Sequence, residues 1–397
     1  MAISKGTDKK KIAFVCQRYG KEVNGGAEAE CRMYAERLSA WYDVEVITTC
    51  AQDHMTWENR YQPGIDTLNG VTIRRFRSNR EREQNIFNSL SEKVICIEHS
   101  NAIEKRWLME QGPYCPELVL YLSKHGKDYA AVLFMTYLYY PTVVGIQKCN
   151  AKNRILIPTA HDEWPIYQRQ FRDVFRRADK LIYNAAAEKR FVEKLFNFTV
   201  GKPSITVGAG VDYPQGKLPD VEETFHIKEP YICYSGRIES TKGCGTLFDY
   251  FIQYKVSHKE SKLKLVLTGK TAMEIPDRKD IVALGFVSEE EKYAVMKNSV
   301  AFVLASEFES LSIVVLESML MGRPVLVNGK SEVLKDHCIK SNAGFYFMNY
   351  REFEGELDYL LEHSEVYEQM RENGKKYVHD CYQWESIMEK MRDLIEQ

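Results

Sequence analysis

At 397 residues the chain is long enough for two or three domains of ordinary size. Its 44% hydrophobic and 28% charged residues are those of a soluble globular protein, and a net charge of −2 gives no global basis for a nucleic-acid partner. Ten cysteines without a C-x-x-C signal neither a zinc site nor a disulfide framework and fit a reducing, cytoplasmic compartment.

The opening MAISKGTDKKK lacks the apolar stretch of a signal peptide, and no apolar run approaches the ~18 residues of a membrane span. Lys11–Cys16 reads as a short buried strand. A loop follows to Asn24-Gly25-Gly26, then a helix from Ala27 to Trp41 with its buried stripe at Ala27, Cys31, Tyr34, Ala35, Leu38 and Trp41. Val44–Thr49 closes a βαβ unit. The loop is not G-x-G-x-x-G, so a nicotinamide fingerprint is absent. Glycines here let backbone approach a phosphate; they equally serve a tight turn that packs helix on sheet.

Val71–Phe76 reads as a strand. Arg74, Arg75, Arg77, Arg80 and Arg82 crowd its end, and helices are expected at 84–96 and 98–111, with Trp107 beside Lys105 and Arg106. This is either a basic, aromatic surface for an anionic acceptor or a membrane face, or a solvated surface, since Glu81, Glu83 and Glu92 interleave; the second is favoured. Ala130–Thr136, Arg154–Pro158 and Lys180–Asn184 are three further strands, with helices at Pro141–Lys148 and Tyr167–Arg177. Alternation of this kind argues a parallel sheet, whose ligands bind at the carboxyl ends of strands. His161-Asp162-Glu163-Trp164 follows a strand directly and lies at that edge.

Between Gly201 and Glu229 the composition shifts to that of a linker. A second alternating series then runs through strands at Tyr231–Ser235, Leu263–Thr268, Ile281–Leu284, Val300–Ala305 and Pro324–Asn328. Ser288 before three glutamates looks like an N-cap, and 351–397 is helical by pattern. Two α/β halves emerge, with the cleft between them as the default ligand site.

Two stretches of the second half carry chemistry. After Tyr231–Ser235 come Gly236-Arg237 and Lys242-Gly243-Cys244-Gly245 at a helix start. Two cations beside free backbone donors form an anion site, and a diphosphate matches their charge. Ser306–Arg323 holds Glu309 and Glu317 with seven residues between them, Glu309 before a helix expected from about Leu311 and Glu317 on its second or third turn. Ile313, Leu316, Met319 and Leu320 supply that helix's buried face. Two acids with no local base suit the hydroxyls of a sugar.

S-G-R-I-x3-K-G at 235–243, E-x7-E at Glu309 and Glu317, and S-M-x2-G-R-P-V at 318–325 resemble glycosyltransferase family 4. Gly25-Gly26, Gly208-x-Gly-Val-Asp212 and Leu284-Gly-Phe-Val-Ser288 extend the resemblance to about 11–390. It implies the α/β GT-B fold of two Rossmann-like domains, with an acceptor domain at 1–205, a donor domain at 206–380, and a helix at 381–397 crossing back. It implies transfer of a sugar, with retention, from a nucleotide-diphosphate sugar to a saccharide or lipid-linked acceptor, as in bacterial surface polysaccharide synthesis. Arg237 and Lys242 would neutralise the diphosphate; Glu309 would bond the transferred sugar and Glu317 the ribose. Gly25, Gly26, Ser310, Leu311 and Ser312 would complete the donor site, with His161 near the sugar and Asp162, Arg74 and Arg75 toward the acceptor. No D-x-D occurs, so no metal or other cofactor is expected. Peripheral contact with the inner membrane face is expected from 74–82 and 105–107. Ser310, where the family usually has glycine, and Asp-Glu-Trp after His161 depart from the common pattern. A nucleotide-sugar 2-epimerase of the same fold and a non-catalytic sugar-nucleotide-binding subunit are the competing readings.

Overall fold

The computed structural model describes residues 9–23, 25–96 and 99–397. Asn24 of the first glycine loop, residues 1–8 of the opening stretch and the start of the helix expected from 98 lie outside them. The chain divides into two compact units: residues up to 209 with 385–397, and residues 210–384.

The first unit is built on eight strands: β1 (Lys11–Val15), β2 (Asp43–Thr49), β3 (Gly64–Leu68), β4 (Val71–Phe76), β5 (Ala131–Met135), β6 (Arg154–Ile157), β7 (Lys180–Tyr183) and β8 (Ser204–Thr206). Their order is β3-β4-β2-β1-β5-β6-β7-β8, parallel throughout except for β3 against β4. Every residue of β5 and β7 is buried, which is why these runs are short and apolar without alternation. The edge strand β3 was not expected, because its residues are almost all exposed and carry no apolar face. It is held by a hairpin through Asn69 and Gly70, both at positive φ (50° and 81°).

Helices flank the sheet, including Pro116–His125 and Ala186–Leu195, which the apolar pattern had not marked. The first helix runs Gly26–Leu38 rather than to Trp41, and its buried side chains include Glu28 and Glu30. Trp107 is 1% exposed and packs edge-on against Trp164 and Phe171, so it belongs to the core and not to a basic surface. Arg74, Arg75 and Arg82 of the neighbouring cluster are likewise committed inward, whereas Arg77 and Arg80 are exposed. Arg74 bonds the fully buried Glu45 at 2.5 Å and lies over Tyr121. Arg75, 5% exposed, donates to the Tyr19 carbonyl and stacks on Tyr61. Arg82 donates to the Glu110 and Gln111 carbonyls. The expectation that Arg74 and Arg75 face an acceptor or a membrane is corrected: a buried carboxylate and orphan carbonyls need these donors.

The last helix, Trp384–Glu396, starts at 384 because Ser364–Cys381 is a helix of its own. From 385 it belongs to the first unit, where Lys180 and Asn153 donate to the Leu394 and Ile395 carbonyls and Arg392 covers the Trp41 ring.

The second unit carries β9 (Tyr231–Ser235), β10 (Lys264–Thr268), β11 (Ile281–Ala283), β12 (Ala301–Leu304), β13 (Val325–Asn328) and β14 (Gly344–Phe347). All pair parallel in the order β11-β10-β9-β12-β13-β14. Ser288 closes a capping box with Glu291, as the sequence signalled. In each sheet the strand order reverses once, between β1 and β5 and between β9 and β12. Open parallel sheets take their ligands at the carboxyl ends of the strands at such points.

Candidate active site

In the second unit the loops after β9 and β12 meet at the reversal. Gly243 stands at φ 71°, and a Cβ there would lie 2.1 Å from the Ala305 carbonyl oxygen. Glycine therefore lets the turn bearing Lys242 close onto the end of β12. Lys242 Nζ then sits 2.7 Å from Glu309 Oε1. Arg237, on the same loop, lies 3.1 Å from Glu239 and donates from a 38% exposed side chain. The loop itself is pinned to its neighbour after β10, Gly236 N to Thr268 O at 3.0 Å and Ile238 N to Lys270 O at 2.9 Å.

The carboxylate-bearing helix runs Ile313–Leu320, two residues later than expected. Ser312 precedes it at φ 63°, and its buried hydroxyl has no partner among the described residues. Ser310-Leu311-Ser312 is held from beneath by His337, whose Nε2 donates to the Leu311 carbonyl at 2.8 Å while Nδ1 faces the Tyr377 hydroxyl at 3.1 Å. Burial pushes the His337 pKa down to about 4, so the ring is neutral and the carbonyl fixes its tautomer.

Glu317 lies on the helix's second turn. Its Oε1 accepts from Lys292 Nζ at 2.9 Å and from the Tyr293 hydroxyl at 3.1 Å. Its Oε2 is buried with no partner among the described residues. Burial outweighs Lys292 and holds this carboxyl above the usual range. Glu317 and Glu289 outweigh the opposing effect of burial on Lys292 and raise its pKa, so the ammonium stays charged. A buried acceptor with an open oxygen is suited to take a ligand hydroxyl. Lys292, Tyr293 and His337 were not singled out from sequence. The glutamate-lysine pattern after Ser288 reads as solvated, and a lone histidine in a helix has no spacing to flag it.

In the first unit the two glycines separate in role. A Cβ on Gly25 would lie 2.1 Å from Glu28 Oε2, against the buried Arg18–Glu28 pair, whereas one on Gly26 would meet nothing within 4 Å. Gly25 thus serves packing and Gly26 opens space. His161 lies past β6 in a turn with Thr159 at φ 49°. Its Nε2 is 3.4 Å from Glu163, which also accepts from the Tyr137 hydroxyl at 2.6 Å. Burial opposes ionisation of Glu163, but His161 and Tyr137 outweigh it and hold the carboxyl below its ordinary value. Asp162 is exposed and accepts from Tyr167. Beneath the turn, burial pushes Glu30 up to about 7 and Glu188 up to about 8.

Arg237, Lys242, Glu309, Ser310, Leu311, Ser312 and Glu317 therefore share one carboxyl edge, with Lys242 and Glu309 in contact. Gly25, Gly26, His161 and Asp162 share the corresponding edge of the first sheet. Arg74 and Arg75 are not part of either.

Residues 220–377 match the family model for glycosyl transferases group 1. An uncharacterized glycosyltransferase of Methanocaldococcus jannaschii is 28% identical over 171 residues, 40% of this chain and 43% of that protein. The match thus spans less than half of that curated relative's length. Solved structures resemble the chain along nearly its whole length. Sucrose-phosphate synthase from Thermosynechococcus elongatus is similar at TM-score 0.71 and 17% identity, covering 98% of this chain and 99% of that one. HepE from Anabaena, in complex with UDP and glucose, is similar at TM-score 0.69 and 15% identity, with the same coverage. At such identities the likeness is one of fold. The chain has the two-unit α/β GT-B fold, and its residues 220–377 match the group 1 glycosyl transferase model.

Proposed function

We propose that this protein is a retaining glycosyltransferase that moves a sugar from a nucleotide-diphosphate sugar to a saccharide or lipid-linked acceptor in bacterial surface polysaccharide synthesis. The observation that carries the reading is the second unit's carboxyl edge, where Lys242 contacts Glu309 at 2.7 Å and Glu317 keeps one buried oxygen open. The group 1 domain match over this edge supports it, as does a fold shared with a structure holding UDP and glucose.

In this reading Arg237 and Lys242 meet the diphosphate, supported by backbone donors at Ser310, Leu311 and Ser312. Glycosyl transfer builds oxocarbenium character on the sugar and negative charge on the departing diphosphate. Fixed cations at that point lower the barrier, each such donor being worth ~10²–10³ in rate. Diphosphate entry exchanges the Lys242–Glu309 contact for two new ones: Lys242 turns to phosphate and Glu309 accepts from sugar hydroxyls. Glu317 accepts from the ribose through its open Oε2. In the first unit Gly26 admits the donor closely and His161 bonds the saccharide. The two cations take the place a metal ion would otherwise hold. No nucleophile is assigned, so attack comes from the face the diphosphate leaves, and a phosphate oxygen takes the acceptor proton. Among the described residues no helix is long and apolar enough to cross a membrane; a lipid-linked acceptor would be met at the inner membrane face.

Mass spectrometry after incubation with donor and a slow acceptor tests the mechanism. An unmodified protein with turned-over donor fits it, and a glycosyl adduct on any carboxylate contradicts it.

A further inference from the structure

The turn that bears His161 rests on a buried polar chain that, among the described residues, makes no contact with the proposed donor site. Glu188, 1% exposed, sits in the first turn of the helix Ala186–Leu195. One of its oxygens accepts the Ala160 N–H at 2.6 Å, and the other accepts the Asn184 N–H, also at 2.6 Å. The Asn184 amide donates onward to Glu30 at 2.9 Å, and Tyr34 donates to the other Glu30 oxygen at 2.9 Å. Glu30 lies on the helix that begins at Gly26. A single carboxylate therefore ties the His161 turn to the end of β7 and, through Asn184 and Glu30, to the helix behind the glycine loop.

The turn needs such a tie. Thr159 holds φ 49°, a left-handed conformation that is strained for a β-branched residue and persists only where surroundings enforce it. Tyr137 N bonds the Pro158 carbonyl at 3.1 Å on one side of Thr159, and Glu188 takes the Ala160 N–H on the other. The helix has no side-chain N-cap, and Glu188, its third residue, instead reaches back past Ala185 to the Asn184 N–H.

We propose that Glu188 is a positioning residue of the transfer reaction, acting through the His161 turn rather than on substrate. This rests on the transfer reading above. Glu188→Gln is nearly isosteric but replaces one acceptor with an amide that faces an N–H. A displaced turn of this kind costs up to ~10²-fold in rate.

The test combines two measurements on the full chain. Hydrogen exchange of the 159–163 amides is compared between wild type and Glu188→Gln. Faster exchange confined to this segment and the 184–188 turn is expected, and unchanged exchange there overturns the proposal whatever the protein's activity. Turnover is then measured in a double-mutant cycle with His161→Ala. The expected result is a kcat reduced ~10–100-fold by Glu188→Gln with donor KM changed less than ~2-fold, and no further loss when His161 is already alanine. The same fold-loss in both backgrounds, or an unchanged kcat, overturns it. Wild-type protein that turns over no donor counts against the transfer reading alone, since the exchange result stands by itself. Should Glu188→Gln not fold, Glu188→Asp carries the same two measurements.

Discussion

Lys242 and Glu309, separated by 66 intervening residues, meet at 2.7 Å because Gly243 admits the Ala305 carbonyl where any side chain would collide. Each is the other's counter-ion, with side chains 30% and 10% exposed. In the proposed reading, the pair keeps a cation for the diphosphate and a carboxylate for the sugar poised in one loop cluster. Lys242→Ala and Glu309→Ala should each lower kcat/KM ~10²–10³-fold. Removing Lys242 should weaken binding of free nucleoside diphosphate, and removing Glu309 should not. Isothermal titration with the diphosphate separates the two; equal weakening by both variants would contradict the assignment.

Lys292 should matter as much as the residues legible from sequence. It is the buried counter-ion of Glu317, and deleting one member of such a pair leaves an uncompensated charge. Lys292→Met is expected to lower stability by roughly 3 kcal/mol and raise the nucleotide Kd at least ~10-fold. The double variant Lys292→Met/Glu317→Leu should regain stability without regaining nucleotide affinity. Urea unfolding and nucleotide titration of the three proteins check this.

His337 gives the second unit an acid limit. Its folded pKa is depressed from 6.5 to about 4 by burial. Below 6.5 the unfolded chain takes up a proton that the folded chain refuses, so stability falls as pH is lowered from about 6.5 to about 4. His337→Gln should flatten that part of the profile. It should also cost ~1–2 kcal/mol at neutral pH, through the lost bond to the Leu311 carbonyl. Thermal unfolding across this range measures both.

Much of the frame was legible because its signals are local. β1, β5, β9 and β12 are buried on both faces and appear as unbroken apolar runs, and Ser288 announced its helix. Lys242, Glu309 and Glu317 were singled out by their spacing beside glycines and a strand end, and the structure brings Lys242 and Glu309 into contact at 2.7 Å. What stayed hidden depends on tertiary contact. β3 exists through pairing with β4, although Asn69-Gly70 was a hairpin signal open to reading. Glu30 and Glu188 look like solvent-facing helix residues until Asn184 is placed between them. Arg74 looks like part of a surface patch because the strand sequence does not reveal that Glu45 lies fully buried beside it.

If Arg237 and Lys242 do the work of a metal ion, turnover should persist in excess chelator. Initial rates with and without EDTA are expected to agree within ~2-fold, since the diphosphate charge is met by protein cations. Loss of activity in EDTA, restored by a divalent ion, would show that the two side chains are not sufficient.

The most direct test of the central claim is nucleotide release from UDP-, GDP-, ADP- and dTDP-sugars, with wild type set beside Glu309→Ala and Lys242→Ala. Slow release from one donor, lost in both variants and accelerated by an acceptor, is the result the account predicts. Donor binding with no release, even with saccharide and lipid-linked acceptors present, would contradict it in favour of a binding subunit. Release of a free epimerised sugar would contradict it in favour of an epimerase.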